Sequence, residues 1–268
     1  MSAAQFEARI EANRRLGGGY FALDIVAAAP TPVAEATPGQ FVMVRGAWGR
    51  ELLNPRAFSI LDVTGPASFS LLLKAYGEGT RRLKVARPGD PVTVTGPLGL
   101  GFTPAAPGVR DLLVAGGVGL PPLHFHARLA ARAGLTGQVE MYYGGRDASD
   151  LVLLDDLAAW DVPTHLATED GSRGARGYVT AALAPRLAAA ARAGEAVRVL
   201  ACGPTPMLKS VRKLGLEHRV PTFLCLEENM ACGFGVCLGC AVPVYGGKPY
   251  RYCCTDGPVF DAREVRWP

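Results

Sequence analysis

The chain has 268 residues, of which 49% are hydrophobic and 19% charged, and its formal net charge is +4. This composition is typical of an ordered globular protein and excludes an intrinsically disordered one. The charges are spread along the chain without a block of like sign, which argues against binding to nucleic acid or to an anionic membrane surface. We recognise no signal peptide and no apolar run of about 18 residues, so we expect a cytoplasmic protein without a membrane span.

The first domain is predicted to be an antiparallel β-barrel within residues 1–103. From residue 18 onward, short stretches rich in Val, Phe, Leu and Thr are separated by Gly, Pro and Asp at intervals of roughly ten to twenty residues, as in small all-β domains. These stretches are GYFALDIVAA, GQFVMVRG, RAFSILDV, SFSLLLKAYG and DPVTVTGPLG. A segment rich in Pro and Gly follows at 101–111 and marks a natural boundary.

Beyond this boundary the pattern changes to alternating strands and helices. Apolar runs such as DLLVAGG and AVRVLACG predict buried strands, and each precedes a stretch with helical periodicity. Repeated strand–helix units predict a doubly wound parallel sheet, here over residues 104–224, with PTFLCLE as its last strand. We therefore expect a β-barrel plus an α/β domain, followed by a small cysteine-rich segment at 225–268.

Six of the seven cysteines lie in this last segment. Three of them have the spacing C-x4-C-x2-C and two follow later: Cys232, Cys237, Cys240, Cys253 and Cys254. The spacing is typical of plant-type [2Fe–2S] ferredoxins, in which one glycine-rich loop supplies three thiolates and a distant cysteine the fourth. A structural zinc site is the alternative, although zinc ligands usually form two separated pairs. Cys225, in the preceding strand, is expected to be a buried small hydrophobic residue.

Two glycine-rich turns of the α/β domain are candidates for binding a dinucleotide. VAGGVGLPPL joins a strand to a helix, so Gly116, Gly117 and Gly119 can bring backbone N–H groups to a pyrophosphate; a plain tight turn is the alternative. LACGPTPM is a second such turn, at the sheet edge where ligands bind in doubly wound folds. Its Cys202 is a candidate to approach a nicotinamide or flavin ring, with burial in the core as the alternative.

Two stretches of the barrel suit a ligand that carries phosphate. NPRAFSI offers Arg56 for a phosphate and Ser59 for a hydrogen bond to a ring atom, and KAYGEGTRRL offers glycines and Thr80 for a pyrophosphate. Either stretch alone is also compatible with an ordinary strand end. In chain order, a phosphate-competent barrel, a dinucleotide-type sheet and an iron–sulfur loop predict an electron relay.

Together these motifs resemble those of the ferredoxin–NADP reductase superfamily, over residues 18–262. RAFS is similar to its R-x-[YF]-S flavin motif, GEGT to its second flavin stretch, AGGVGLPPL to its pyridine-nucleotide loop, TEDGSRGARGYVT to its T-[DE]-D-G-S segment and CGPTPM to its C-G-P-x-P-M turn. Within the superfamily, LEENMACGFGVCLGC and CCTDGPVF resemble the motifs of the electron-transfer subunit of class B dihydroorotate dehydrogenase. Ala57 departs from the pattern, since this family usually has proline there.

The resemblance implies residues for three ligands. A first group would form the FAD site: Arg56, Ala57, Phe58, Ser59, Lys74, Gly77, Gly79 and Thr80. A second group would form the NAD site, with Cys202 as the catalytic residue: Gly116, Gly117, Gly119, Thr168, Asp170, Cys202, Gly203 and Pro204. A third group would hold a [2Fe–2S] cluster: Cys232, Cys237, Cys240 and Cys254. Cys254 is favoured because the family's fourth cysteine lies two residues before the Asp of D-G-P, which leaves Cys253 as a spare thiol able to substitute.

The resemblance also implies a reaction and a partner. A separate FMN-containing subunit would oxidise dihydroorotate to orotate, and this chain would pass the electrons through its cluster and FAD to NAD+, in pyrimidine biosynthesis. Two copies of each subunit would form a heterotetramer. Hydride transfer needs no acid–base pair, and His124 and His126 are expected to pack rather than catalyse.

Three alternatives remain open on the sequence. The same module serves other redox complexes, such as a hydrogenase or an NADH–ferredoxin transhydrogenase; the chain could also be a self-contained reductase or a zinc-stapled binding protein. The choice between NAD and NADP is also open, although the family favours NAD. A 2′-phosphate would require a basic residue, for which Arg146 and Arg173 are candidates.

Overall fold

The computed structural model describes residues 3–49 and 51–267, and its N-terminal part is a closed antiparallel barrel with strand order β1-β2-β5-β4-β3-β6. The strands are β1 (Ala4–Gly17), β2 (Tyr20–Ala27), β3 (Phe41–Gly46), β4 (Arg56–Gly65), β5 (Ser68–Lys74) and β6 (Pro91–Leu98). A short helix, α1 (Glu78–Lys84), lies between β5 and β6, and a 3-10 turn (Pro32–Glu35) precedes β3. The predicted antiparallel barrel is confirmed.

The strand series predicted from residue 18 lacks β1, which pairs with both β2 and β6 and so closes the barrel. Along β1, buried Ala8 and Ile10 alternate with polar and charged residues, so only one face of this strand reaches the core. A strand with so few apolar positions is easily taken for a polar N-terminal segment.

Alternating side chains of the strands fill the interior of the barrel. Phe21, Leu23 and Ile25 of β2 are fully buried, and they share one hydrophobic cluster with Val42 and Val44 of β3. Residues two apart on a strand point to the same face, which explains why each strand contributes every second residue. Burial of each of these side chains stabilises the fold by roughly 1.5–3 kcal/mol.

The second part of the chain is a seven-stranded sheet with order β10-β9-β8-β7-β11-β12-β15. Its strands are β7 (Arg110–Gly116), β8 (Val139–Gly145), β9 (Thr164–Thr168), β10 (Ala175–Arg176), β11 (Val197–Cys202), β12 (Thr222–Cys225) and β15 (Val259–Asp261). Neighbouring strands are parallel except for β15, which pairs antiparallel with β12. The predicted parallel sheet is confirmed, and β15 adds an edge strand beyond the expected last one.

Helices cover both faces of this sheet. They are α2 (Leu120–Arg132), α3 (Leu154–Ala159), α4 (Thr180–Ala193) and α5 (Thr205–Glu217). Leu112 and Val114 of β7 belong to the cluster on the α4 and α5 side, whereas Leu113 belongs to the cluster on the α2 and α3 side. Because helices cover both faces of the sheet, successive residues of β7 from Leu112 onward are buried and apolar instead of alternating with polar ones. None of the described helices is long and apolar enough to cross a membrane.

The cysteine segment has little regular structure. After β12 the chain runs through turns to a two-stranded hairpin of β13 (Ala241–Pro243) and β14 (Tyr250–Tyr252), and then into β15. Cys253 and Phe260 join the same hydrophobic cluster as Phe41 of the barrel. The segment is therefore packed against both the barrel and the sheet.

Charged side chains fix the sheet to α2 and to the connection that follows the barrel. The Asp111 carboxylate is fully buried and accepts hydrogen bonds from Arg198 Nε at 2.5 Å, while its Oδ2 lies 2.7 Å from His126 Nε2. Arg198 also donates to the carbonyl oxygens of Thr103 and Pro104, at 3.0 and 2.8 Å. Burial alone would raise the pKa of Asp111, but the hydrogen bonds from Arg198 and His126 outweigh it and hold that pKa below its usual value.

Candidate functional site

A first cavity of about 400 Å³ lies between the barrel and the segment that follows β12, and this volume is within the usual range for small-molecule sites. The barrel wall contains every residue predicted for FAD: Arg56, Ala57, Phe58, Ser59, Lys74, Gly77, Gly79 and Thr80. The facing wall is one continuous stretch: Cys225, Leu226, Glu227, Glu228, Asn229 and Met230.

Local geometry explains the glycines and the threonine of the barrel wall. The Thr80 hydroxyl donates to the Gly77 carbonyl at 3.0 Å and accepts from the Gly77 N–H at 3.0 Å, which holds the turn into α1. A Cβ added to Gly79 would lie 3.1 Å from Arg56 Nε. Gly79 therefore lets the Arg56 side chain lie across the start of α1.

Arg56 has the properties expected of a phosphate ligand. Its Nη1 donates to the carbonyl oxygens of Asn54 at 2.6 Å and Pro55 at 3.4 Å, and its guanidinium lies 5.9 Å from the Trp48 ring. Within the described residues it forms no ion pair with a carboxylate. A positioned and uncompensated guanidinium on a cavity wall suits an anionic ligand.

A second cavity of about 640 Å³ opens at the ends of the sheet strands. Of the residues predicted for NAD, it is lined by Gly116, Gly117 and Pro204. Lys74, Tyr76 and Val118 line both cavities, so the two spaces share a wall. Residues that sequence reasoning did not select also line it: Tyr20, Gly144, Gly145, Asp150, Glu169, Gly177, Tyr178, Val179, Thr180, Pro206, Met207 and Ser210.

Gly119 and Gly203 lie behind this wall and allow close packing. A Cβ at Gly119 would lie 2.3 Å from the Cys202 carbonyl oxygen, and one at Gly203 would lie 2.6 Å from Met207 Cε. Gly203 also has a φ of +156°, which L side chains rarely adopt. Both glycines thus bring α2 and the turn after β11 together without touching the cavity themselves.

Cys202 also lies behind the wall, contrary to the expectation that its thiol approaches a ring. Its side chain is fully buried in the cluster that contains Leu123 and Leu200, and it is not among the cavity-lining residues. A hydrogen bond with Cys225 and burial raise the pKa of the Cys202 thiol, so it stays protonated. Cys225, its partner in that hydrogen bond, is among the residues that line the first cavity.

Thr168 and Asp170 shape a loop of the second cavity and do not line it. The Thr168 hydroxyl donates to the Arg173 carbonyl oxygen and accepts from its N–H, both at 3.0 Å. Asp170 accepts from the Ser172 N–H at 2.9 Å. These bonds hold the loop that presents Glu169 to the cavity. Arg173 is likewise outside the cavity wall.

A cluster of three charged side chains lies near the wall that the two cavities share, and its Lys74 lines both of them. Asp150 forms ion pairs with Lys74 and with Arg146 Nε, the latter at 3.1 Å, and Lys74 Nζ lies 4.4 Å from the Tyr20 ring centre. Burial would raise the pKa of Asp150, but the hydrogen bonds from Lys74 and Arg146 outweigh it and lower that pKa. The positive charges of Lys74 and Arg146 are therefore both balanced by the Asp150 carboxylate.

The cysteine loop presents four thiols in two pairs. Cys240 Sγ and Cys254 Sγ are 3.3 Å apart in the buried part of the loop, and the Cys237 N–H donates to Cys232 Sγ at 3.4 Å near the surface. In the part of the chain that the structure describes, no three His, Cys, Asp or Glu side chains converge on a single metal-ion position. Paired thiols from one glycine-rich loop and from the later turn after β14 fit the ligand set of an iron–sulfur cluster.

Backbone N–H groups of this loop favour a thiolate. Burial would raise the pKa of Cys232, but hydrogen bonds from the backbone N–H groups of Cys237, Phe234 and Val236 outweigh it and lower this pKa to about 6. Gly233 and Gly235 have positive φ, at +84° and +86°, which lets the backbone turn its N–H groups toward the sulfur. Burial, with a hydrogen bond from Cys240, raises the pKa of Cys254 to about 12.

Cys253 differs from Cys254 in the direction of its side chain and in its hydrogen-bond partner. It is fully buried, and its thiol donates to the Leu226 carbonyl oxygen at 3.2 Å. Burial raises the pKa of this thiol. The side chain therefore belongs to the hydrophobic core, whereas Cys254 faces Cys240.

Two family models match this chain. The iron–sulfur cluster binding domain of dihydroorotate dehydrogenase B matches residues 227–266, which contain the cysteine loop. The oxidoreductase NAD-binding domain matches residues 113–213, which contain most of the parallel sheet and the glycine-rich turns of the second cavity.

The chain is also similar to known proteins over nearly its whole length. Among solved structures, a chain from an NADH-dependent reduced ferredoxin–NADP oxidoreductase has a TM-score of 0.80 and 29% identity, with 97% of this chain and 90% of that chain covered. Phthalate dioxygenase reductase shares the fold, with a TM-score of 0.61 and 20% identity over 79% of this chain and 64% of that chain.

Curated relatives are more similar in sequence. The dihydroorotate dehydrogenase B (NAD(+)) electron transfer subunit of Desulforamulus reducens is 36% identical over 242 residues, which cover 89% of this chain and 90% of that protein. Its counterparts from Bacillus caldolyticus and Caldanaerobacter subterraneus are 39% and 34% identical, over 85% and 97% of this chain and 86% and 98% of theirs. The chain belongs to the family of dihydroorotate dehydrogenase B electron transfer subunits.

Proposed function

We propose that this chain is the electron-transfer subunit of an NAD-linked dihydroorotate dehydrogenase of pyrimidine biosynthesis. A partner subunit oxidises dihydroorotate, and this chain passes the electrons through a [2Fe–2S] cluster and FAD to NAD+. One observation carries the proposal. The stretch 225–230, which walls the first cavity, continues directly into the loop that begins with Cys232. A flavin in that cavity and a cluster in that loop are therefore neighbours.

The residues of the first cavity fit FAD. The Arg56 guanidinium, free of carboxylate partners in the described chain, would hold a phosphate, and the Ser59 hydroxyl would offer a hydrogen bond to the ring system. Gly77, Gly79 and Thr80 shape the turn that receives the rest of the cofactor, and Ala57, Phe58 and Lys74 complete the wall. A flavin supplies an exchange of hydride with a nicotinamide and of single electrons with an iron–sulfur cluster.

The second cavity fits the nicotinamide nucleotide. Gly116 and Gly117 offer backbone at the turn into α2, and Pro204 offers the opposite side. Gly119, Gly203, Thr168 and Asp170 hold the surrounding turns in place. Cys202 supports Cys225 from behind the wall, as a positioning residue. Arg146 is paired with Asp150, which favours NAD over a nucleotide with an additional phosphate.

Cys232, Cys237, Cys240 and Cys254 hold the cluster. Low thiol pKa at Cys232 and the short Cys240–Cys254 separation are the observations that support this ligand set. The Cys253 thiol donates to the Leu226 carbonyl oxygen instead, which supports Cys254 rather than Cys253 as the fourth ligand.

The partner docks on the surface of the cysteine loop. Three large apolar side chains lie between the cysteines there and are exposed by about half or more: Phe234, Val236 and Leu238, at 54%, 73% and 52%. Exposed apolar side chains grouped on one loop are typical of protein contacts. In this complex the partner carries FMN and oxidises dihydroorotate, and two copies of each subunit assemble.

The test is anaerobic purification of the tagged chain from its own host together with its partner, followed by addition of dihydroorotate. Bleaching of the flavin and cluster absorption without NADH supports the proposal. If NADH bleaches these bands and dihydroorotate does not, the relay is retained and the dihydroorotate assignment is wrong.

A second candidate is a module of another NADH-linked redox complex. The similarity over 97% of the chain to the NADH-dependent reduced ferredoxin–NADP oxidoreductase favours it. In that case the co-purified subunit accepts electrons from reduced ferredoxin, and reduced ferredoxin in place of dihydroorotate bleaches the flavin.

A further inference from the structure

The Arg56 guanidinium, to which the proposed function assigns a phosphate of FAD, is not neutralised by any carboxylate of the described chain. Glu51 of the loop before β4 and Glu78 at the start of α1 are both bound by Arg82, at 2.5 Å for Glu51 Oε2 and 2.9 Å for Glu78 Oε1. The charge of Arg56 therefore stays available to an anionic ligand. Its side chain must then be held in place by groups other than a carboxylate.

The Trp48 ring is one such group. Arg56 Cζ lies over the indole, 5.9 Å from the ring centroid, which is within the distance at which an aromatic face attracts a cation. An aromatic face stabilises a guanidinium through its quadrupole and carries no net charge, so it leaves the full positive charge of Arg56 for a ligand. The Asn54 carbonyl oxygen, which accepts from Arg56 Nη1 at 2.6 Å, fixes the direction of the same guanidinium.

The indole is itself held against the barrel. Trp48 is only 8% exposed and belongs to the hydrophobic cluster inside the barrel. Its backbone N–H donates to the Gly46 carbonyl oxygen at 2.8 Å, and a Cβ at Gly46 would lie 2.4 Å from Trp48 Nε1, so the ring lies directly on the end of β3. Because β3 pairs with β4, in which Arg56 is the first residue, the ring and the guanidinium are held by neighbouring strands.

The position of Arg56 indicates which phosphate it meets. Arg56 and Ser59 line the same cavity from β4 and are three residues apart, about 10 Å along a strand. The ribityl chain of a flavin separates its ring system from its first phosphate by a comparable length. With Ser59 at the ring, Arg56 is therefore placed at the first phosphate, which FAD and FMN share and riboflavin lacks.

We propose that Trp48 is a positioning residue for the flavin: its indole holds the Arg56 guanidinium in place for the first phosphate of the cofactor without neutralising the charge. This role depends on the proposed function, in which Arg56 binds a flavin phosphate. Because the fold has already ordered the Arg56 side chain, flavin binding does not incur that loss of side-chain freedom. Trp48 thus makes the site selective for phosphorylated flavins.

The test compares three flavins on the full chain with its cluster in place, after release of the bound flavin. Dissociation constants for FAD, FMN and riboflavin are measured anaerobically by quenching of flavin fluorescence. We expect Trp48→Leu to weaken FAD and FMN by the same factor, about three- to tenfold, which corresponds to the loss of one cation–π contact or to the ordering of one long side chain. Riboflavin affinity should not change, because riboflavin has no phosphate to bring to Arg56.

Three further variants separate positioning from a simple loss of stability. Trp48→Phe keeps an aromatic face under the guanidinium, so it should restore most of the FAD affinity. Phe69→Leu removes part of a buried ring from the same hydrophobic cluster, outside both cavities, and should lower the free energy of unfolding without changing the ratio of FAD to riboflavin affinity. In an Arg56→Met background, Trp48→Leu should have no further effect on FAD affinity, since the two residues act as one unit.

The proposal is wrong if Trp48→Leu leaves FAD affinity unchanged, or if it weakens all three flavins equally, which would make Trp48 a structural residue of the barrel. It is also wrong if FAD alone weakens, which would make Trp48 a contact of the adenine, or if Trp48→Leu keeps its full effect in the Arg56→Met background. These results leave the flavin site of the proposed function intact. If the unaltered chain binds riboflavin as tightly as FAD, Arg56 does not bind a flavin phosphate, and that site and the role of Trp48 are both wrong.

Discussion

The sheet and the cysteine loop solve the same problem, holding polar groups at a ligand site, by opposite means. In the sheet, parallel ladders and two hydrophobic layers fix the turns, and glycines let the backbone approach closely. In the loop, residues 226–240 have no helix or strand, and thiols and backbone N–H groups fix one another. The sheet site is held in place by packing, whereas the loop site depends on the ligand that its thiols bind. Substitutions in the sheet should therefore change folding stability, and substitutions in the loop should change ligand content.

The largest effect is expected from Cys254→Ser. Loss of a ligand should lower the iron content by more than about tenfold, since even changes outside the ligand shell weaken metal binding by about 10–100-fold. Bound FAD and the circular dichroism of the sheet should be retained, because the sheet does not depend on the thiols. Iron analysis and the visible spectrum measure the outcome. A full and stable cluster in this variant would make Cys253 the ligand.

The next largest effect is expected in the sheet, from Asp111→Asn. Removal of the buried charge leaves Arg198 and His126 without their counter-ion, which should lower the free energy of unfolding by about 3 kcal/mol. The cluster spectrum should not change. Denaturant titration with Asp155→Asn, at an exposed carboxylate of α3, as control measures the difference.

The same variant tests a pH dependence. The folded-state pKa of Asp111 lies below its unfolded value, so its stabilisation is present above the unfolded pKa of about 3.9 and is lost as the pH falls through the folded value. The stability difference between the variant and the unaltered chain should therefore shrink below about pH 4. A difference that stays constant there would assign the effect to packing.

A smaller effect is expected from Gly119→Ala. The added Cβ would meet the Cys202 carbonyl oxygen at 2.3 Å, and such overpacking costs about 1–3 kcal/mol. Because the displaced turn carries Gly116 and Gly117, NADH affinity should fall as well. Gly137→Ala is the matched control, since nothing lies within 4 Å of its Cβ position. Equal free energies of unfolding for the two variants would mean that the turn shifts to accommodate the added methyl group without a measurable cost.

The smallest effect is expected from Cys253→Ala. The side chain fills core space and donates one hydrogen bond, so its loss should cost about 1 kcal/mol. Iron content and the cluster spectrum should equal those of the unaltered chain. Loss of iron here would contradict the distinction between the two adjacent cysteines.

The architecture was largely predictable because it follows from local patterns. Runs such as DLLVAGG are buried on both sides and read plainly as parallel strands, and both the barrel and the sheet were confirmed. β1 was not predictable in this way, since charged residues cover its outer face and its pairing partner β6 is far along the chain.

The site residues were predictable by position and less so by side-chain direction. The barrel residues predicted for FAD all line one cavity, whereas Cys202 stands at the expected strand end with its thiol turned into the core. A strand presents alternate residues to opposite faces, so a shift of one position decides between cavity and core.

The shared wall of Lys74, Tyr76 and Val118 has a thermodynamic consequence. A ligand that orders these side chains in one cavity changes the free energy of binding in the other, and linkage requires the effect to be reciprocal, commonly by 1–3 kcal/mol. Flavin retention should then depend on nucleotide concentration. Gel filtration of the loaded chain with and without NAD+ in the buffer should give different ratios of flavin to protein, with the ratio itself reporting how strongly the two ligands are coupled.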